Sequence, residues 1–329
     1  MTRPAPLLEV KNLTVEFPTR RGNLLAIDDI SFDIVPGEVL GVVGESGAGK
    51  SLTGAAIIGL LEPPGRIAGG QILLEGQRID NLSHDKMRAI RGRRIGAIFQ
   101  DPLTSLNPLY TVGRQLIETI QTHLGLSNEA ARKRAVHLLQ ETGIPAADAR
   151  IDQYPHQFSG GMRQRVVIAL ALAAEPKLIV ADEPTTALDV SIQAQIIALL
   201  KRLCKDHGAA VMLVTHDMGV IAETCDRVAV MYAGRIIEVG PVHAVIHESA
   251  HPYTRGLMGS IPSMDSDRTR LLQIDGSMPR LNNIPQGCAF NPRCPHAWDL
   301  CRQQRPELQL ATHTRSACWL HQTENRQAA

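Results

Sequence analysis

A chain of 329 residues in which 44% are apolar and 20% charged is globular in composition, long enough for one large α/β domain with an appendage or for two modest domains. A formal net charge of +1 leaves no surplus for a polyanion, so nucleic acid is not an expected partner. The longest apolar run, residues 166–174, is about half the ~20 residues that span a bilayer, and the N-terminus lacks the apolar stretch of a secretory signal, which predicts a cytoplasmic protein without disulfides.

Residues 7–44 alternate short β-branched segments with turns, Pro36-Gly37 among them, and predict strands. Residues 50–61 are small and apolar, with no proline before Pro63-Pro64, and predict a helix packed on that sheet. A strand-like run at 94–99 leads through a turn-rich passage to helices expected at 113–124 and 128–143, which read as a helical insertion. After Ser159 a helix through residue 173 precedes a buried-type strand at 178–181, with further strands at 211–215 and 228–232. The alternation predicts an α/β fold with a mainly parallel sheet covered by helices. From about 251 to 292 the texture turns to Pro, Gly, Ser and Asn, marking a boundary near residue 250 and a loop-rich extension, and no internal repeat is visible.

Gly44, Glu45, Ser46, Gly47, Ala48, Gly49, Lys50 and Ser51 fit G-x-x-x-x-G-K-[ST] between a strand and a helix, the context that a phosphate-binding loop requires. In such a loop backbone N–H groups turn towards one anion, Lys50 reaches the β- and γ-phosphates of a nucleotide, and the Ser51 hydroxyl ligates Mg²⁺. Asp182 and Glu183 end an apolar strand, where a parallel sheet delivers ligands to its carboxyl edge. Alone, such a pair reads as a turn or helix start; beside a phosphate loop, Asp182 suits Mg²⁺ and Glu183 suits polarising the attacking water. Ser159, Gly160 and Gly161 precede a helix and form a second anion-binding N-terminus, one with more glycine than a simple cap needs.

At this point the chain resembles the ATP-binding-cassette ATPase family over about residues 7–250, since Ser159-Gly160-Gly161-Met162 closely matches the signature S-G-G-Q, with Met162 in place of glutamine. The resemblance implies a P-loop NTPase with an antiparallel β subdomain and a helical subdomain at about 101–170. It also assigns Gln100 to the loop that senses γ-phosphate and Mg²⁺ and links to the membrane partner. Asp189, in Ala187-Leu188-Asp189, matches the D-loop, His216 the switch histidine, and Phe17 the aromatic that stacks on adenine. Each is weak alone, because a lone histidine is more often structural and Phe17 alternates as a strand core residue would. In this family ATP lies between the P-loop of one domain and the signature of another, which implies a dimer of such domains.

The tail narrows the resemblance. His251-Pro252-Tyr253-Thr254, Leu257, Ile261-Pro262 and residues 287–295 are similar to the C-terminal extension of oligopeptide and dipeptide importer ATPases, a subfamily that carries peptides, nickel complexes, glutathione and related solutes and has F-S-G-G-M as its signature variant. That implies a D-type subunit at the cytoplasmic face of the inner membrane, paired with an F-type ATPase, two permeases and an extracytoplasmic solute-binding protein. Cys288, Cys294, Cys301 and Cys318, spaced C-x5-C-x6-C-x16-C, contain no C-x2-C pair, which lowers a zinc reading without removing it. Four thiolates equally suit a [4Fe–4S] cluster, which is what the resemblance implies, and four unconnected buried thiols remain the plain alternative. A competing class, soluble cassettes acting on DNA or ribosomes, is expected to show a coiled-coil insertion, a tandem cassette or a basic face, and the sequence displays none. A tail that senses redox state or iron and gates the ATPase is compatible with the first reading.

Overall fold

A computed structural model describes residues 4–185, 188–259 and 274–322, and divides the chain into two compact units. The first comprises residues 1–9, 33–39 and 73–213, the second residues 10–32, 40–72 and 214–329.

In the first unit the strands Ala210–Val214, Leu178–Asp182 and Ile95–Ile98 are neighbours in that order. The last two are parallel, with Ile95 opposite Leu178 and Ile98 opposite Ala181. Residues 178–181 are fully buried, as expected of a parallel strand covered on both faces. The helices Val112–Leu124 and Asn128–Glu141 begin at Thr111 and Ser127, whose hydroxyls accept the N–H groups of Arg114 and Ala130, and they bury Leu116, Ile120, Ala131, Ala135 and Leu138. Helix Gly160–Leu172 joins this layer through Arg165, whose Nη1 donates to the Thr142 carbonyl at 2.7 Å.

The strands Gly22–Ile34, Leu8–Thr19 and Arg66–Leu74, most of whose residues fall in the second unit, are adjacent in one sheet. The strands Gln309–Ala311, Thr314–Ser316, Arg235–Pro241, Arg227–Tyr232 and Val39–Val43 are neighbours in that order within another sheet. Among these strands only the last pair is parallel; the two-residue turn Ala233-Gly234, with φ of 47° and 79°, folds Arg227–Tyr232 back on Arg235–Pro241 as an antiparallel hairpin. The fold is therefore α/β with mixed sheets, and the tail contributes an antiparallel edge.

Two expectations differ. The passage read as loop from residue 251 contains the helix Pro252–Gly259, short enough to escape periodicity and opened by a proline, which fits a helix's first turn. The strand Arg235–Pro241 also went unread, because its buried residues include Glu238. Ile261 and Pro262 lie outside the described residues. Among the described residues no helix is long and apolar enough to cross a membrane.

Candidate functional site

The phosphate loop belongs to the second unit and begins where a strand register runs out. Leu40 lies opposite Arg227 and Val43 opposite Val230, and the next residue, Gly44, has φ 150°. A Cβ there would stand 2.3 Å from the Met231 carbonyl oxygen, so only glycine lets the chain leave the strand at this point. The helix Lys50–Ile58 starts at Gly49 without a side-chain cap, which leaves its first N–H groups to an anion. Lys50 is buried, and its ammonium donates to the carbonyls of Gly44 at 2.8 Å and Glu45 at 3.1 Å, holding the cation over the loop. Ser51 is exposed in the first turn.

Phe17, in the strand Leu8–Thr19, is half-buried, and a Cβ on Gly65 would lie 2.8 Å from its ring. His216 is exposed in a tight turn: Thr215 Oγ1 accepts the Asp217 N–H at 3.0 Å, and Asp217 caps the helix Met218–Thr224 by accepting from Gly219 and Val220 at 2.8 and 3.2 Å.

In the first unit the parallel register between Ile95–Ile98 and Leu178–Asp182 predicts that residues two beyond Ile98 and Ala181 face each other. They do: Gln100 Nε2 donates to Glu183 Oε2 at 3.0 Å. Asp182 closes the strand, and Glu183 follows with φ 44°, a left-handed conformation that costs a non-glycine residue about 1–3 kcal/mol and is found preferentially at functional sites.

The signature segment lies at the start of Gly160–Leu172, with Ser159 and Gly160 exposed and Ser159 Oγ accepting the Met162 N–H at 3.4 Å. Gly161 is approached closely, since a Cβ would meet Ile192 Cγ2 at 3.0 Å. Asp189 opens the helix Val190–Asp206 with its carbonyl, which accepts from Ile192 and Gln193 at 2.9 and 2.8 Å, and its exposed carboxylate does not cap that helix. Ala187 lies outside the described residues.

None of the six cysteines forms a disulfide, and Cys288, Cys294, Cys301 and Cys318 line one small cavity together with His251, Phe290 and Trp319. Burial pushes the Cys288 thiol up to about 11 and the Cys318 thiol up to about 12, and in each the neighbouring cysteines add to the rise. Such thiols stay protonated unless a positive centre draws the proton off. Among the described residues no group of three or more His, Cys, Asp or Glu is placed so that it could hold a metal ion, which leaves the expected four-cysteine centre without support from the ligand geometry.

Contacts that the sequence did not point to surround the loop. Glu45, in a variable position of the phosphate loop, pairs with Arg293, and its N–H donates to the Tyr253 hydroxyl at 2.9 Å. Glu238 is fully buried and accepts from the Ala250 N–H at 2.8 Å, the His251 N–H at 2.9 Å and the Thr314 hydroxyl at 2.8 Å. Neither acid has a short-range signal, because their partners are up to 248 positions away.

The ABC transporter family matches residues 27–186, and the oligopeptide/dipeptide transporter C-terminal region matches residues 237–301. The dipeptide transport ATP-binding protein DppD of Escherichia coli is 47% identical over 95% of this chain and 96% of its own length. The oligopeptide transport ATP-binding protein OppD of Bacillus subtilis is 50% identical over 94% and 87%. Among solved structures, the dimeric cassette MJ0796 in a post-hydrolysis state with ADP and phosphate superposes with a TM-score of 0.64 at 30% identity, covering 71% of this chain and 98% of that one. Similarity of this depth, extending through both regions in the same order, makes the chain a member of the ABC transporter family, an ATP-binding and ATP-hydrolysing subunit of its oligopeptide/dipeptide branch.

Proposed function

We propose that this chain energises the import of di- or oligopeptides from the cytoplasmic face of a bacterial inner membrane, as the D-type partner of a second, F-type ATPase docked on two permeases and served by a solute-binding protein. The observation that carries this reading is the joining of a nucleotide cassette to an oligopeptide/dipeptide C-terminal region in one chain. We divide the chain into a nucleotide-binding domain at 7–250 and an extension at 251–329.

The P-loop N–H groups and Lys50 bind the β- and γ-phosphates, and Phe17 stacks on adenine. Ser51, Gln100 and Asp182 would hold Mg²⁺, which would supply neutralisation of the phosphate charge. Glu183 takes the proton of the attacking water, Gln100 orients its carboxylate, and His216 contacts the γ-phosphate. Ser159, Gly160, Gly161 and Asp189 face the nucleotide bound by the partner ATPase, so closure of the pair completes each site.

For the tail, what supports a metal centre is the resemblance together with four thiols that line one cavity, a donor set that either a [4Fe–4S] cluster or a zinc ion takes. Cys288, Cys294, Cys301 and Cys318 would hold a [4Fe–4S] cluster that staples a segment with a small apolar core.

The transport reading is tested by reconstituting the chain with its permeases and partner ATPase in proteoliposomes. ATP-dependent accumulation of labelled di- or oligopeptide, abolished by Lys50→Ala, is expected. ATP hydrolysis that neither peptide nor binding protein stimulates, with no peptide uptake, would contradict it.

A further inference from the structure

One ion pair connects the C-terminal extension to the phosphate loop. Arg293 ends the turn Asn291–Arg293, immediately before Cys294, and its side chain is only 8% exposed against 27% for Glu45. Nη1 donates to both carboxylate oxygens of Glu45 at 3.1 Å and reaches the Tyr232 hydroxyl at 3.4 Å. The opposite edge of the guanidinium is held by main-chain carbonyls: Nε donates to Asp275 at 2.8 Å, and Nη2 to Ile274 at 3.3 Å and Gly276 at 3.5 Å. A planar, permanently charged group gripped on two edges has little freedom to leave its partner.

Around this pair the strand Arg227–Tyr232 and the extension together build an aromatic floor. Tyr232, Tyr253 and Phe290 meet edge-to-face, with centroids 4.7, 5.3 and 5.4 Å apart. Tyr253, whose hydroxyl accepts the Glu45 N–H, thereby fixes the backbone of the same residue whose side chain Arg293 grips. Glu45 is the only carboxylate among residues 44–51, a loop whose ligand is a polyanion. Left alone it would repel the phosphates; paired, its charge is largely cancelled where they bind.

We propose that Arg293 is a positioning residue for ATP binding: by pairing with Glu45 it neutralises the one acid inside the phosphate loop and, with Tyr253, fixes the loop's first turn, so that the C-terminal extension sets the chain's affinity for nucleotide. The inference rests on the P-loop holding the ATP phosphates, and holds whatever the four cysteines ligate.

The experiment is an equilibrium titration of the full-length chain with Mg²⁺-ATP at low and high salt, with nucleotide-free thermal unfolding measured alongside. Arg293→Met exposes an uncompensated carboxylate and is expected to weaken binding about tenfold at low salt, less at high salt, as a screened surface charge would. Adding Glu45→Gln to Arg293→Met removes the repelling charge and recovers most of the loss, which a merely structural role for Arg293 does not predict. If Arg293→Met does not fold, Arg293→Gln, which loses the charge and keeps hydrogen-bond donors, carries the same expectation. Parent-like affinity in the charge-removing variant, or a double variant as weak as the single one at every salt concentration, overturns the proposal. A parent chain that binds ATP no better than Lys50→Ala would instead overturn the P-loop reading beneath it.

Discussion

Gln100 and Glu183 are joined by a 3.0 Å hydrogen bond from the amide of one to the carboxylate of the other, across 83 positions of sequence. The bond follows from the strands beneath it, because Ile98 and Ala181 are opposed in parallel register and both chains run two residues further. Gln100→Ala leaves the Glu183 carboxylate without this donor, and ATP hydrolysis should slow by about tenfold or more while ATP affinity falls much less. Steady-state hydrolysis beside a nucleotide titration checks the split.

Phe17 is half-buried, which leaves ring surface for a ligand. Phe17→Ala should weaken ATP binding by about 1–3 kcal/mol, by analogy with base–aromatic stacking, with little change in unfolding temperature. Unchanged affinity with a lowered unfolding temperature would mean that Phe17 serves only the core.

Glu238 is a buried acid satisfied by three donors, two from the backbone at residues 250 and 251 and one from Thr314. Glu238→Ala strands those donors and should cost about 3 kcal/mol or more, a drop of several degrees in unfolding temperature, whereas Glu238→Gln should cost less. Calorimetry on the two variants measures the difference.

The tail's ligand is decided by chemical analysis of anaerobically purified protein. Iron and sulfide near four each per chain are expected. Cys301→Ser should lower that content and destabilise the extension while leaving ATP binding largely in place. One zinc per chain would favour the single-ion alternative, and protein without either metal would contradict the cluster.

The nucleotide motifs were legible because their chemistry is local. A loop that cradles phosphate needs glycine where Gly44 passes the Met231 carbonyl, and a strand must precede it, so spacing alone identifies it. The buried strand ending at Asp182 was equally plain, because a parallel strand covered on both faces reads as an unbroken apolar run. What sequence did not disclose depends on distant partners. Glu45 looks like a permissive loop position until Arg293 is set against it, and Glu238 interrupts the apolar pattern of its strand because its donors come from elsewhere. Glu183 sat in the expected place, but its left-handed backbone is imposed by its surroundings and no residue type announces it.

The proposal that Glu183 activates water is tested by the hydrolysis rate of Glu183→Gln, assembled with its partner ATPase and permeases. A rate lower by about 10²-fold or more is expected, with ATP still bound and the paired cassettes held closed. Hydrolysis at the parent rate would contradict it.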